Sequence, residues 1–245
     1  MRSLIVSDIL RILKKKTYWI VMAIVLAITL FSQLGMIKSG FNGMTSQTTN
    51  IRNTGSTILG ICIFLSVYAD EFSSRSMQCM IGRGVSRAKL QTAKFIDCVI
   101  LTLISCVVWA AWVTVLNLIF GGKLQPSYIA AIYAAFLAFA LQAIAYGSIS
   151  AIFLYKSSNV AAATVVDIVL YIVLFSFIEL IATSAPLAPT ITAHRICLTG
   201  CINQIYTRMV LGQPCGWLIA GVCLVYIGGA LLISILVFRK RELDF

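Results

Sequence analysis

Six long apolar runs, separated by short polar stretches, set the pattern of this chain. They cover residues 17–37, 53–69, 95–120, 128–154, 160–183 and 217–238. A helix needs roughly 20 apolar residues to cross a bilayer, so each run predicts a spanning helix. The second run is the weakest, being short and carrying Gly55, Gly60 and Ser66. The first, with basic residues ahead of it, has the look of a secretory signal. It is too long for one, and no small-residue cleavage site follows cleanly, which predicts a retained span.

Residues 1–16, ahead of the first run, carry helical periodicity. At about 100° per residue, Ile5, Ile9, Leu10, Ile12 and Leu13 share one face, and Ser3, Ser7, Asp8, Arg11, Lys14 and Lys15 share the other. Leu4 and Lys16 fit neither. The pattern predicts an amphipathic interfacial helix with its basic face toward anionic headgroups.

Two longer segments lie between runs. Residues 70–94 are dense in charge. Residues 185–214 hold Pro186, Pro189 and Pro214 among Ile191, Ile196, Leu198, Ile202, Ile205 and Met209. Such a mildly apolar segment reads as short helices dipping back into the outer leaflet, or as an ordinary surface loop. In the fourth run Ala143, Gly147 and Ala151 form a small-residue stripe that lets another helix approach closely.

Composition agrees with the spans. The chain is 60% hydrophobic and 11% charged, against roughly 45–50% and 25% for soluble domains. Too little polar surface would remain to dissolve a core of this size. The expected fold is an all-α membrane protein of six transmembrane helices. The net charge of +11 then matters by placement, and nucleic acid is not the expected partner. Lys and Arg gather on the cytoplasmic side of short loops. With six spans and a cytoplasmic N-terminus, 14 of the 19 basic residues fall inside. Without the second run the later loops invert, leaving 8 inside and 11 outside. The charges therefore argue for the weak second span and for two cytoplasmic termini.

Candidate chemistry is sparse. His194 is the one histidine, and no cysteine pair has zinc-site spacing. Cys197, Cys201 and Cys215 share the external segment, where a disulfide stays open. Gly121-Gly122-Lys123 lacks the earlier glycine of a phosphate loop. No catalytic residue, metal ligand or nucleotide site is expected, and the chain does not read as an enzyme. Three acids are unusual for their position. Asp97 opens the third run near the cytoplasmic interface, where solvation is expected. Asp167, about two turns into the fifth run, must face other helices or water, paired or protonated. Glu179 lies near the outer end of the same run. A charge at the bilayer centre costs about 2.5–3.5 kcal/mol. Asp167 and Glu179 are therefore candidates for a substrate path or an intramembrane lock, and for Glu179 snorkelling to the interface is a third reading.

Residues 70–94 carry the most specific signal. Asp70-Glu71 closes the second run, a Ser-bearing stretch with Arg75 follows, and then come Gly82-Arg83-Gly84-Val85-Ser86-Arg87-Ala88-Lys89-Leu90. This resembles the type-2 ABC exporter permeases. The N-terminal amphipathic helix matches the family's connecting helix, and Phe238-Arg239-Lys240-Arg241 is similar to its basic stop. The resemblance implies a coupling helix in this loop that docks on a cytoplasmic ATP-binding-cassette subunit. Asp70, Glu71, Arg75, Arg83, Ser86, Arg87 and Lys89 would then be the coupling residues. ATP and Mg would bind the partner ATPase, and none to this chain. A second permease, identical or related, and membrane lipid complete the partners. Length and few soluble residues are most similar to the lantibiotic- and bacitracin-type export and immunity permeases of bacterial cell membranes. Val85 stands where the family usually has proline, which leaves the start of the coupling helix open. On the residues alone, Arg83, Arg87 and Lys89 are spaced to project from about two helical turns toward an acidic or dipolar groove. The alternatives are a membrane-embedded immunity or binding protein and an ion-coupled transporter without an ATPase. The inverted repeats expected of the latter are not evident.

Overall fold

The third and fourth apolar runs fold into helices longer than a bilayer requires. The computed structural model describes residues 2–39, 56–73, 76–120, 126–157, 159–171, 198–213 and 217–240. Among them are helices α1 (Arg2–Leu13), α2 (Lys16–Ser39), α3 (Ser56–Ser73), α4 (Ser76–Gly82) and α5 (Arg87–Ile119). Then follow α6 (Pro126–Ser157), α7 (Val160–Val169), α8 (Leu198–Val210) and α9 (Trp217–Lys240), and no strand occurs among the described residues. The 33 residues of α5 reach about 50 Å, against a hydrocarbon core of about 30 Å. The surplus is its polar first turns, Arg87 to Lys94. Four helices, α2, α5, α6 and α9, are long and apolar enough to cross a membrane, while the apolar parts of α3 and α7 are shorter.

The short apolar part of α3 is compensated by packing. Leu59, Ile63, Phe64 and Val67 are all buried, and α3 packs on α2, α5, α6 and α7. A helix enclosed by protein needs fewer lipid-facing residues and tolerates glycine. Gly60 leaves room there: a Cβ at this position would fall 2.0 Å from the Tyr171 hydroxyl, which would have to shift.

Cross-helix hydrogen bonds set the directions. Tyr18 pairs with Ser105 at 2.8 Å, Trp112 Nε1 donates to Leu26 O at 3.1 Å, and Trp109 Nε1 donates to Thr29 Oγ1 at 3.0 Å. Both numberings climb together overall, so α2 and α5 run parallel, and the chain must return between them. It returns through α3, whose Phe72 meets Tyr155 at the end of α6. Tyr155 in turn stacks on Phe238 at the end of α9, with ring centroids 4.4 Å apart. The six apolar helices thus alternate in direction. Helices α2, α5 and α7 begin at one end of the bundle, and α3, α6 and α9 finish there. We call it the basic end, since Lys14–Lys16, Arg83, Arg87, Lys89, Lys156, Arg239 and Lys240 all belong to it.

The N-terminal helix departs from its expected orientation. Ile12 and Asp8 face inward, 0% and 8% exposed, whereas Val6 and Leu10 are half exposed. Leu4, which fits neither face of the amphipathic pattern, packs on the core. The inward stripe is Leu4, Asp8 and Ile12, spaced i, i+4. A helical wheel ranks Asp8 as polar and turns it outward, but here Lys94 neutralises it.

The segment at 185–214 is helical where described. Helix α8 buries Leu198, Cys201, Ile202 and Ile205 against α6 and α9. It is a packed amphipathic helix and not a surface loop. Cys201 is buried as a thiol. Cys197, Cys215 and Glu179 lie outside the described residues.

Candidate functional site

The connector from α3 to α5 holds most of the candidate residues. Asp70 and Glu71 lie in the last turn of α3, and Arg75 lies outside the described residues. Helix α4 seats Met77, Met80 and Ile81 on the core, a spacing that puts one apolar face down. Its opposite side exposes Cys79, Gly82 and Arg83.

A Schellman cap ends α4. Gly84 adopts φ 88°, its N–H reaches Ile81 O at 2.9 Å, and the Val85 N–H reaches Met80 O at 3.2 Å. These bonds satisfy carbonyls that a helix end leaves open. Val85 closes the cap with a donor that proline would lack. Ser86 then caps α5, accepting the Lys89 N–H at 3.4 Å.

The three basic residues therefore do not share one helix. Arg83 sits in the turn after α4, while Arg87 and Lys89 sit in the first turn of α5. Their roles separate as well. Arg83 and Lys89 are exposed. Arg87 turns inward: its Nη1 donates to Phe238 O at 3.1 Å and Arg239 O at 3.2 Å, with its guanidinium 5.9 Å from the Phe238 ring. A cation on the last carbonyls of α9 also suits the negative end of that helix. Through Phe238, Arg87 joins an aromatic cluster of Tyr68, Phe72 and Tyr155. The start of α5 and the ends of α3, α6 and α9 are one contiguous unit.

Beneath the connector lies an ionic group that the pattern of residues does not reveal. Lys94 and Asp97 are both 0% exposed. Lys94 Nζ lies 2.5 Å from Asp8 Oδ2 and 3.7 Å from Asp97 Oδ2, and Arg11 lies 3.7 Å from Asp8. The expected solvation of Asp97 is corrected here: α1 covers it and Lys94 supplies its countercharge. Lys94 is likewise an interior residue and not the end of a solvated loop. The i, i+3 spacing of Lys94 and Asp97 was the available signal, but their third partner is 86 residues away.

One turn nearer the start of α5 than Lys94, Gln91 Nε2 donates to Ser234 Oγ at 2.9 Å, tying α5 to α9. Beside them Tyr68, Cys98 and Ser148 help line a cavity of about 10 Å³, room for about one water molecule. Asp167, 1% exposed, accepts the Ser150 hydroxyl at 2.7 Å across the α6–α7 hairpin.

Comparison with protein-family models gives no match, and comparison with curated proteins gives none either.

Proposed function

We propose that this chain is the membrane permease subunit of an ATP-driven exporter of the type-2 ABC kind. On this reading six helices span the cell membrane, with both termini and the basic end in the cytoplasm. A separate ATPase binds ATP and Mg and docks on the connector. Two permeases, identical or related, pass an amphipathic or hydrophobic substrate outward, with peptide antibiotics as the leading class.

The observation that carries the reading is the build of the connector. A seven-residue helix rests on the core and offers Arg83 outward, with Lys89 exposed just beyond it. Arg87 pins the adjoining turn to the end of α9. A push received at Arg83 and Lys89 would reach three helix ends through packed aromatics and charge-assisted bonds, without a flexible link between. The alternating helix directions and the shared location of α1 and the end of α9 support the six-span arrangement. The apolar flank of α1, Val6 and Leu10, suits contact with lipid.

Two measurements test it. If a neighbouring reading frame encodes an ATP-binding-cassette subunit, that subunit should co-purify with the wild type and be lost from an Arg83→Glu, Lys89→Glu double variant. Retention of the ATPase by that variant would overturn the docking assignment. The side of the membrane is read from Cys79, which is exposed. An impermeant maleimide should modify it in inverted vesicles and spare it in intact cells, with Cys79→Ser as control. Modification from outside would overturn the topology.

A further inference from the structure

Asp167 lies eight residues beyond Asn159, whose side chain caps α7. That is about 12 Å along the axis. Its Oδ1 accepts the Ser150 hydroxyl, but its Oδ2 has no hydrogen-bond partner among the described residues. Tyr171, one turn further on the same face, is also buried with an unpartnered hydroxyl.

Among the described residues the surroundings offer no compensating charge. From α6 come Ser150 and Tyr146, whose ring meets Tyr171 edge-on at 4.6 Å. From α3 comes Gly60, where the absent side chain leaves room for the Tyr171 hydroxyl. From α5 the Cys98 thiol is close enough to feel the charge of Asp167. Among the described residues no cation lies against Asp167, and Lys94 is committed to Asp8 and Asp97. An ionised carboxylate buried without a cation loses far more hydration energy than one hydroxyl returns. A neutral acid has no such debt. Its Oδ1 serves as the carbonyl that accepts from Ser150, and its Oδ2 bears the hydrogen.

We propose that Asp167, Ser150 and Tyr171 form a proton-binding site inside the helix bundle, with the carboxyl holding its proton on Oδ2 at neutral pH. Tyr171 covers the site from the notch at Gly60. The site stands whatever drives the protein, and its failure would leave the exporter reading untouched.

The test is infrared spectroscopy of the purified full-length chain in lipid nanodiscs at pH 7. The wild type should show the carbonyl stretch of a protonated carboxylic acid, and Asp167→Asn should lose that band. Ser150→Ala, which keeps the acid and removes the donor to Oδ1, should shift the band to higher frequency. This second variant carries the test if Asp167→Asn does not fold. A wild-type spectrum with no band sensitive to either substitution would overturn the proposal. So would a band that disappears when sodium replaces potassium, which would make the site one for a metal cation.

Discussion

The basic end and the interior of the bundle solve the same problem in opposite ways. Both bury carboxylates. At the basic end Asp8 and Asp97 share the ammonium of Lys94, with Arg11 beside Asp8. In the interior Asp167 has one hydroxyl. Paired charges can be taken out of water as a group if their geometry holds, whereas an acid with only a hydroxyl is easier to bury neutral. The contrast shows that a buried acid is not one kind of feature. Its meaning depends on which groups three-dimensional packing brings to it.

The contrast is sharpest where the shared cation is removed. Lys94→Met should destabilise the chain by about 3–5 kcal/mol, since two buried carboxylates lose their countercharge. Thermal unfolding in detergent would measure it, and adding Asp8→Asn with Asp97→Asn should recover most of the loss. If the single variant is as stable as the wild type, the ionic group does not hold α1 down.

The next effect concerns Arg87. Replacing it with Ala removes two charge-assisted bonds to the end of α9, a loss of about 1.5–3 kcal/mol. Arg83→Ala, at an exposed turn, should stay within about 0.5 kcal/mol. Equal effects from the two arginines would erase the distinction between an inward rivet and an outward contact.

Gly60→Ala drives a methyl group into Tyr171 and should cost about 1–3 kcal/mol, as overpacked helix contacts do. Tyr171→Phe removes the nearest atom, so the double variant should lose less than the two single effects summed. Strict additivity would mean that α3 and Tyr171 are not in contact.

The smallest change is expected at Asp167. Asparagine keeps an acceptor for Ser150, so Asp167→Asn should alter unfolding by less than about 1 kcal/mol. A loss as large as that of Lys94→Met would place Asp167 in the ionised class and remove the contrast.

Much of this arrangement is readable from residues alone, and its legibility follows range. The segment at 53–69 is the weakest span by length but is favoured by loop charge, and a helix, α3, occupies 56–73 with an apolar part shorter than a full span. The cap at Gly84 is local as well, formed between neighbours in sequence, but the motif there left the start of the coupling helix open and the structure supplied the cap. The orientation of α1 was not readable. Apolar periodicity turns Asp8 outward, and only Lys94 on another helix reverses that. Arg87 is similar: next to Arg83 and Lys89 it looks like one more exposed cation, and its acceptors lie more than 150 residues on.

From its sequence alone this chain is committed to helices long and apolar enough to cross a membrane, because hydrophobic run length is a local property that each segment carries with it. Tertiary structure alone decided which polar groups turn inward and what meets them there. Burying a charge is a transaction between distant partners, and its sign is not set until Asp8 reaches Lys94, Arg87 reaches Phe238, and Asp167 meets Ser150.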